Sequence, residues 1–130
     1  MLLAVAGKQE IGADLEKMRP DVDVLKLAER FYAVPERIRI AAMPEEERNR
    51  QFFRYWVAKE AVLKGQGIGL KSLTDCEVSP ANHHERSSVR ITAGSALQPD
   101  WNVQWISCGP EWEGAVAFQG EWSMCEMSAT

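Results

Sequence analysis

The sequence predicts an α+β domain with helices packed on one face of a mainly antiparallel sheet. Helical periodicity is concentrated between Val22 and Lys64, short strand-like runs separated by turn residues follow it, and two further strand-like runs precede it. The 130 residues suit a single domain, 1–130, long enough for one core but short for two. With 45% hydrophobic and 26% charged residues the chain has the composition of a folded protein.

In chain order, Leu2 to Ala6 reads as a strand, Gly7 to Glu10 as a turn and Ile11 to Glu16 as a second strand. Val22 to Phe31 reads as a helix, and Pro35 suits the first turn of another. The run Met43-Pro44-Glu45-Glu46-Glu47 opens a long helix, its glutamates placed where the helix dipole favours negative charge. That helix ends near Lys64, and Gly65 to Gly69 read as its C-cap and turn; glycines that follow a helix are a poor dinucleotide fingerprint. Strands are then expected at Asp75 to Val78, Val89 to Thr92, Val103 to Ser107 and Gly114 to Phe118, joined by segments rich in Ser, Asn, Pro and Gly.

The long helix carries the most chemistry. Phe52, Tyr55, Trp56, Val62 and Leu63 fall within one third of its circumference, with Lys59 pointing into the middle of that arc. Glu60 and Lys64 lie one turn apart along its edge, in line with Phe53 and Val57. An i,i+4 ion pair, with the Lys59 head snorkelling to solvent, would account for this pattern. The second strand offers another account, because Asp14 and Glu16 share one face of it and repel each other. Water at an exposed strand end would relieve that repulsion, and so would a divalent cation. Mg²⁺ takes a few carboxylates plus substrate phosphates, so Glu60 from the helix would complete a diphosphate site and Lys64 could hold a phosphate oxygen.

G-x-D-x-E at Gly12 to Glu16, followed by W-x-x-K-E-A-x-x-K at Trp56 to Lys64, resembles the signature of the 4′-phosphopantetheinyl transferases, specifically the C-terminal half of the two-domain type similar to the surfactin synthetase activator. Leu27 to Glu36 and Gly65 to Leu70 resemble further family segments, and the likeness covers roughly residues 2 to 75. The resemblance implies Mg²⁺-dependent transfer of the 4′-phosphopantetheine arm of coenzyme A to a serine of an acyl, peptidyl or aryl carrier protein, with release of 3′,5′-ADP. By the same resemblance Asp14, Glu16 and Glu60 hold the metal, Glu60 and Lys64 are catalytic, and Lys59 and Lys64 bind coenzyme A. Glu60, or a water held by the metal, would accept the serine proton. Glu36 also occupies a family position, and Trp56 is expected to anchor the core.

One departure concerns the front of the chain. In the two-domain enzymes a similar half precedes this one and ends in a Ser-His-Ser segment; this sequence starts after that point, and the expectation is a half-domain without the N-terminal pseudo-repeat. The short homotrimeric holo-acyl-carrier-protein synthases carry their own Ser-His-Ser near the C-terminal strands, where this chain reads Ser107-Cys108-Gly109. Two expectations stay open: a transferase working as a homo-oligomer or with a separate N-terminal half, or a C-terminal half or fragment of such an enzyme that binds metal or carrier protein without turnover of its own.

Several other classes are disfavoured. A net charge of -4 argues against nucleic-acid binding through phosphate contacts, although Arg48, Arg50, Arg54, Lys59, Lys64 and Lys71 gather basic charge around the long helix. Three cysteines without CxxC spacing argue against a disulfide framework or a zinc site and read as reduced cytoplasmic thiols. His83 and His84 sit in a turn-like stretch with no further ligand residues of their kind nearby. No run is apolar and long enough for a membrane span or export signal.

Overall fold

Alternating side chains along Trp101–Ser107 place Trp101, Val103 and Trp105 on a buried face and Asn102, Gln104 and Ile106 on the other, the period-two pattern of a strand with one face on the core. This strand lies at the centre of a five-stranded sheet. The computed structural model describes residues 2–5, 11–66, 73–82, 84–92, 99–120 and 126–129. In chain order the strands are β1 (Leu2–Val5), β2 (Ile11–Lys17), β3 (Cys76–Val78), β4 (Arg86–Ile91), β5 (Trp101–Ser107), β6 (Trp112–Phe118) and β7 (Glu126–Ala129). The helices are α1 (Val24–Phe31), α2 (Val34–Ala42) and α3 (Glu45–Gln66), with a single 3-10 turn at Leu73–Asp75.

The large sheet runs β2-β6-β5-β4-β3 with every neighbouring pair antiparallel. All three helices cover one face of it, as the sequence predicts. The sheet does not incorporate β1, which pairs with β7 in a separate two-stranded antiparallel sheet. Strand starts also differ from expectation. β4, β5 and β6 begin two or three residues earlier than their apolar runs, since antiparallel pairing extends into the polar ends, as at Lys17 opposite Trp112. The Gly7 to Glu10 turn, most of the Gly65 to Leu70 segment, His83 and Cys125 lie outside the described residues.

α3 lies directly on the sheet. Ala115 and Ala117 present small side chains beneath it, flanked by Trp101, Val103 and Trp105, and the Trp105 indole N–H donates to the Arg54 carbonyl at 2.9 Å. At the far end of α3 the approach is backbone against backbone. A Cβ on Gly12 would fall inside any allowed contact with the Ala61 carbonyl and the Gly65 backbone, and one on Gly65 would lie 2.7 Å from the Trp101 ring. The opposite side of α3 meets α1 and α2: Tyr32 stacks on Phe52 with centroids 4.9 Å apart and donates its hydroxyl hydrogen to the Phe52 carbonyl at 2.7 Å, and Phe31 meets Trp56 edge-on. The buried surface of α3 is therefore wider than one apolar arc. Phe53, Val57 and Ala61 are as buried as Phe52, Tyr55 and Val62, because the helix is sandwiched between the sheet and two other helices.

Candidate functional site

Gly12, Asp14 and Glu16 alternate along β2 toward α3, and the glycine contact draws the last turns of α3 close enough for side chains to bridge. Asp14 is buried. Its Oδ1 accepts a 2.5 Å hydrogen bond from Lys64 Nζ, and its Oδ2 is buried without a partner. Lys64 is half exposed, and the Asp14 carboxylate raises the pKa of its ammonium.

Glu16 and Glu60 complete the cluster. Partial burial raises the pKa of each carboxyl group and the Asp14 charge raises it further, while Lys64 pulls both back. A hydrogen bond from the Trp56 side chain also favours the Glu16 carboxylate. Trp56 is thus half-buried at the site margin as well as packed on Phe31 and Phe52. The structure brings Asp14, Glu16, Glu60 and Lys64 into one electrostatic cluster. It does not close the carboxylates into a preformed cage: among the described residues no group of three His, Cys, Asp or Glu side chains is placed to hold a metal ion. The Lys64 ammonium occupies one Asp14 oxygen and leaves the other without a partner.

Lys59 stands apart, and here the sequence expectation needs correction. Its ammonium does not snorkel outward or face the carboxylate cluster; it is fully buried, 2.6 Å from the equally buried Glu36 Oε1 and 2.8 Å from the Leu73 carbonyl. With Nζ held inside the protein, Lys59 presents no atom to a coenzyme A molecule arriving from solvent. The angular position in the apolar arc was right, but α2 and the 3-10 turn cover that side of α3 and provide the anion. A lysine centred in an apolar arc is the signal for such a partner, and Glu36, one helical turn before the buried Ile40, is a carboxylate set to enter the core with it.

The arginines of α3 are engaged elsewhere. Arg48 donates to the Met43 and Ala41 carbonyls, Arg50 to Glu113 at 2.7 Å and to the Pro110 carbonyl, and Arg54 pairs with Glu85 and lies over the Trp105 ring. Of the basic residues anticipated around the helix and described in the structure, Lys64 is the one at the carboxylate cluster. Sequence reasoning missed Glu113, a buried carboxylate whose pKa is raised by burial against the opposing pull of Arg54 and Arg50. Ser107 ends β5, and Cys108 and Gly109 follow it in the connection to β6, with Gly109 at φ +107.

An antiparallel α+β fold with a strand-borne G-x-D-x-E packed against a helix-borne K-E-A-x-x-K defines the class. The sequence profile described as ACPS, 4′-phosphopantetheinyl transferase superfamily, matches residues 10–119, and the chain belongs to that superfamily. Its similarity extends to particular members. It is 41% identical over 78 residues to the 4′-phosphopantetheinyl transferase HetI of Nostoc sp., a match covering 60% of this chain and 33% of that protein. Against the 4′-phosphopantetheinyl transferase Sfp of Bacillus subtilis the identity is 36% over 62 residues, covering 48% of this chain and 27% of that one. The matches thus span about a third of the length of these curated relatives. The crystal structure of holo-acyl-carrier-protein synthase from Thermotoga maritima superposes with a TM-score of 0.62 at 19% identity, over 88% of this chain and 70% of that one, and shares the fold.

Proposed function

We propose that this chain supplies the catalytic carboxylates and lysine for Mg²⁺-dependent transfer of the 4′-phosphopantetheine arm of coenzyme A to a carrier-protein serine. The observation that carries this reading is Asp14: buried, with one oxygen on Lys64, the other unpartnered, and two further carboxylates beside it whose charges it disfavours. Such a cluster gains from a cation, and its oxygen donors suit a hard divalent ion. Asp14, Glu16 and Glu60 would hold Mg²⁺, which when bound neutralises charge on the diphosphate of coenzyme A.

Lys64 sits on a long, half-exposed stem and can swing from Asp14 to a phosphate oxygen without breaking any packing of the core. Glu60, whose pKa burial raises, or a water held by the metal, would accept the serine proton as the serine Oγ bonds to phosphorus and the phosphorus–oxygen bond to 3′,5′-ADP breaks. Coenzyme A chemistry and the unpaired thiols of Cys76 and Cys108 fit a cytoplasmic setting. No helix among the described residues is long and apolar enough to cross a membrane.

The test is a transfer assay with coenzyme A and a carrier protein, with and without Mg²⁺, on the full chain and on Glu60→Gln. Mg²⁺-dependent transfer that Glu60→Gln abolishes without unfolding supports the reading; transfer that persists in Glu60→Gln overturns the role of that residue. One observation favours a transferase that works as a homo-oligomer or with a separate N-terminal half: Leu15 and Trp112 leave apolar surface exposed on the sheet face away from the helices. Metal binding without transfer, converted to transfer when a partner half is added, would establish it.

A further inference from the structure

α3 carries the carboxylate cluster on one flank and, one residue earlier in sequence, a fully buried charge on another. Glu36 Oε1 accepts from Lys59 Nζ at 2.6 Å and from the Ala33 N–H at 2.8 Å, and its Oε2 accepts from the Val78 N–H at 2.6 Å. Lys59 Nζ also donates to the Leu73 carbonyl at 2.8 Å and lies 4.8 Å from the Tyr32 ring centroid. Apart from the pair itself, the hydrogen-bonding partners are backbone atoms at the start of α2, in the 3-10 turn and in β3.

We propose that the Glu36–Lys59 pair positions the site by fixing the rotation of α3 about its own axis, so that Glu60 is aimed at Asp14 and Glu16. The inference rests on the reading of those three carboxylates as a metal site. A buried ion pair is a weak source of stability, since desolvation offsets much of the attraction, but it is strongly directional. A methionine or leucine at position 59 would pack against α2 over a range of helix rotations, because apolar burial has no preferred direction. An ammonium held by a carboxylate and a carbonyl, themselves fixed by backbone, has one position.

The leverage is large at the site. Side-chain ends lie about 5–6 Å from a helix axis, so a rotation of about 20° moves the Glu60 carboxylate by about 2 Å, the full length of a Mg²⁺–oxygen bond. The contact of Gly12 with Ala61 and Gly65 holds the end of α3 against β2 on one side, and the Lys59–Glu36 pair adds a directional constraint on another. Neither residue touches substrate in this proposal. Both are positioning residues.

The experiment compares the full chain with the charge-neutral variant Glu36→Gln/Lys59→Met by amide ¹H–¹⁵N spectra, first metal-free and then titrated with Mg²⁺ alone. A rotated helix shifts the metal-free amide resonances at Gly12 to Glu16, which are distant in sequence from both substitutions, and weakens the Mg²⁺ Kd at least tenfold, the low end of what supporting residues at metal sites give. Metal-free shifts confined to the surroundings of Ala33, Glu36, Lys59, Leu73 and Val78, with Mg²⁺ affinity unchanged, overturn the proposal. A wild-type chain that shows no Mg²⁺ response sinks the metal reading instead, and the rotation is then judged on the metal-free spectra. Glu36→Asp, which keeps the charge but shortens its reach, gives the same two readouts with the same expected and overturning results if the double variant does not fold.

Discussion

Asp14 keeps one carboxylate oxygen on an ammonium and the other without any partner, a costly arrangement for a buried anion that an added cation would relieve. Mg²⁺ should therefore raise the Tm of the wild-type chain, and Asp14→Asn should lose that rise; an equal rise in both would remove Asp14 from the site. Glu113 gives a pH prediction. Its folded pKa lies above the ordinary carboxylate value because burial outweighs Arg54 and Arg50, so its contribution to stability is full below the unfolded value and is lost as pH rises through the folded one. Glutamine cannot lose a proton, so Glu113→Gln should gain on wild type between about pH 4 and about pH 7. Urea midpoints at the two pH values test this, and a drift the other way would mean that the arginine pairs dominate. Strand alternation put Asp14 and Glu16 on one face and helix periodicity put Glu60 and Lys64 one turn apart, whereas the meeting of the two pairs was implied by the family resemblance and not by either period. The fate of Lys59 was not legible, since periodicity does not tell what covers that side.

At the scale of elements, the crossing of β2 and α3 depends on two glycines. Gly65→Ala places a methyl group 2.7 Å from the Trp101 ring and 2.9 Å from the Gly12 nitrogen, and should cost about 1–3 kcal/mol, read from denaturant unfolding. Gly12→Ala should cost more, because the atoms it meets are helix backbone and cannot rotate away. Lys59→Met strands the Glu36 carboxylate in the core and should destabilise by about 3–5 kcal/mol, which reverses the tolerance that a snorkelling lysine would show. The helices were readable from periodicity and from Pro35, which sits in the first turn of α2; the Asp23 side chain, which accepts from the Lys26 N–H, starts α1 two residues later than the apolar pattern. The ends of the strands were less so, because pairing decides where β4, β5 and β6 begin. β7 was not anticipated, since Glu126–Ala129 is too short and mixed to show a period.

Across the whole molecule, the helix-free face of the large sheet exposes Leu15 at 47% and Trp112 at 39%, on neighbouring strands whose register places Lys17 opposite Trp112. Light scattering should detect concentration-dependent association that Leu15→Lys combined with Trp112→Lys abolishes; a monomer at all concentrations would show that this face needs no cover. The strand order also dictates a timetable. β2 emerges early in synthesis, yet its partner in the large sheet is β6, and the pairing of Ile11 with Phe118 joins segments from near the two ends of the described fold. Until β6 leaves the ribosome, Asp14 and Glu16 have no neighbouring strand in the large sheet. Loop closure over that span is slow, so the carboxylate cluster should be among the last parts of the molecule to assemble and among the first to disperse when either end frays.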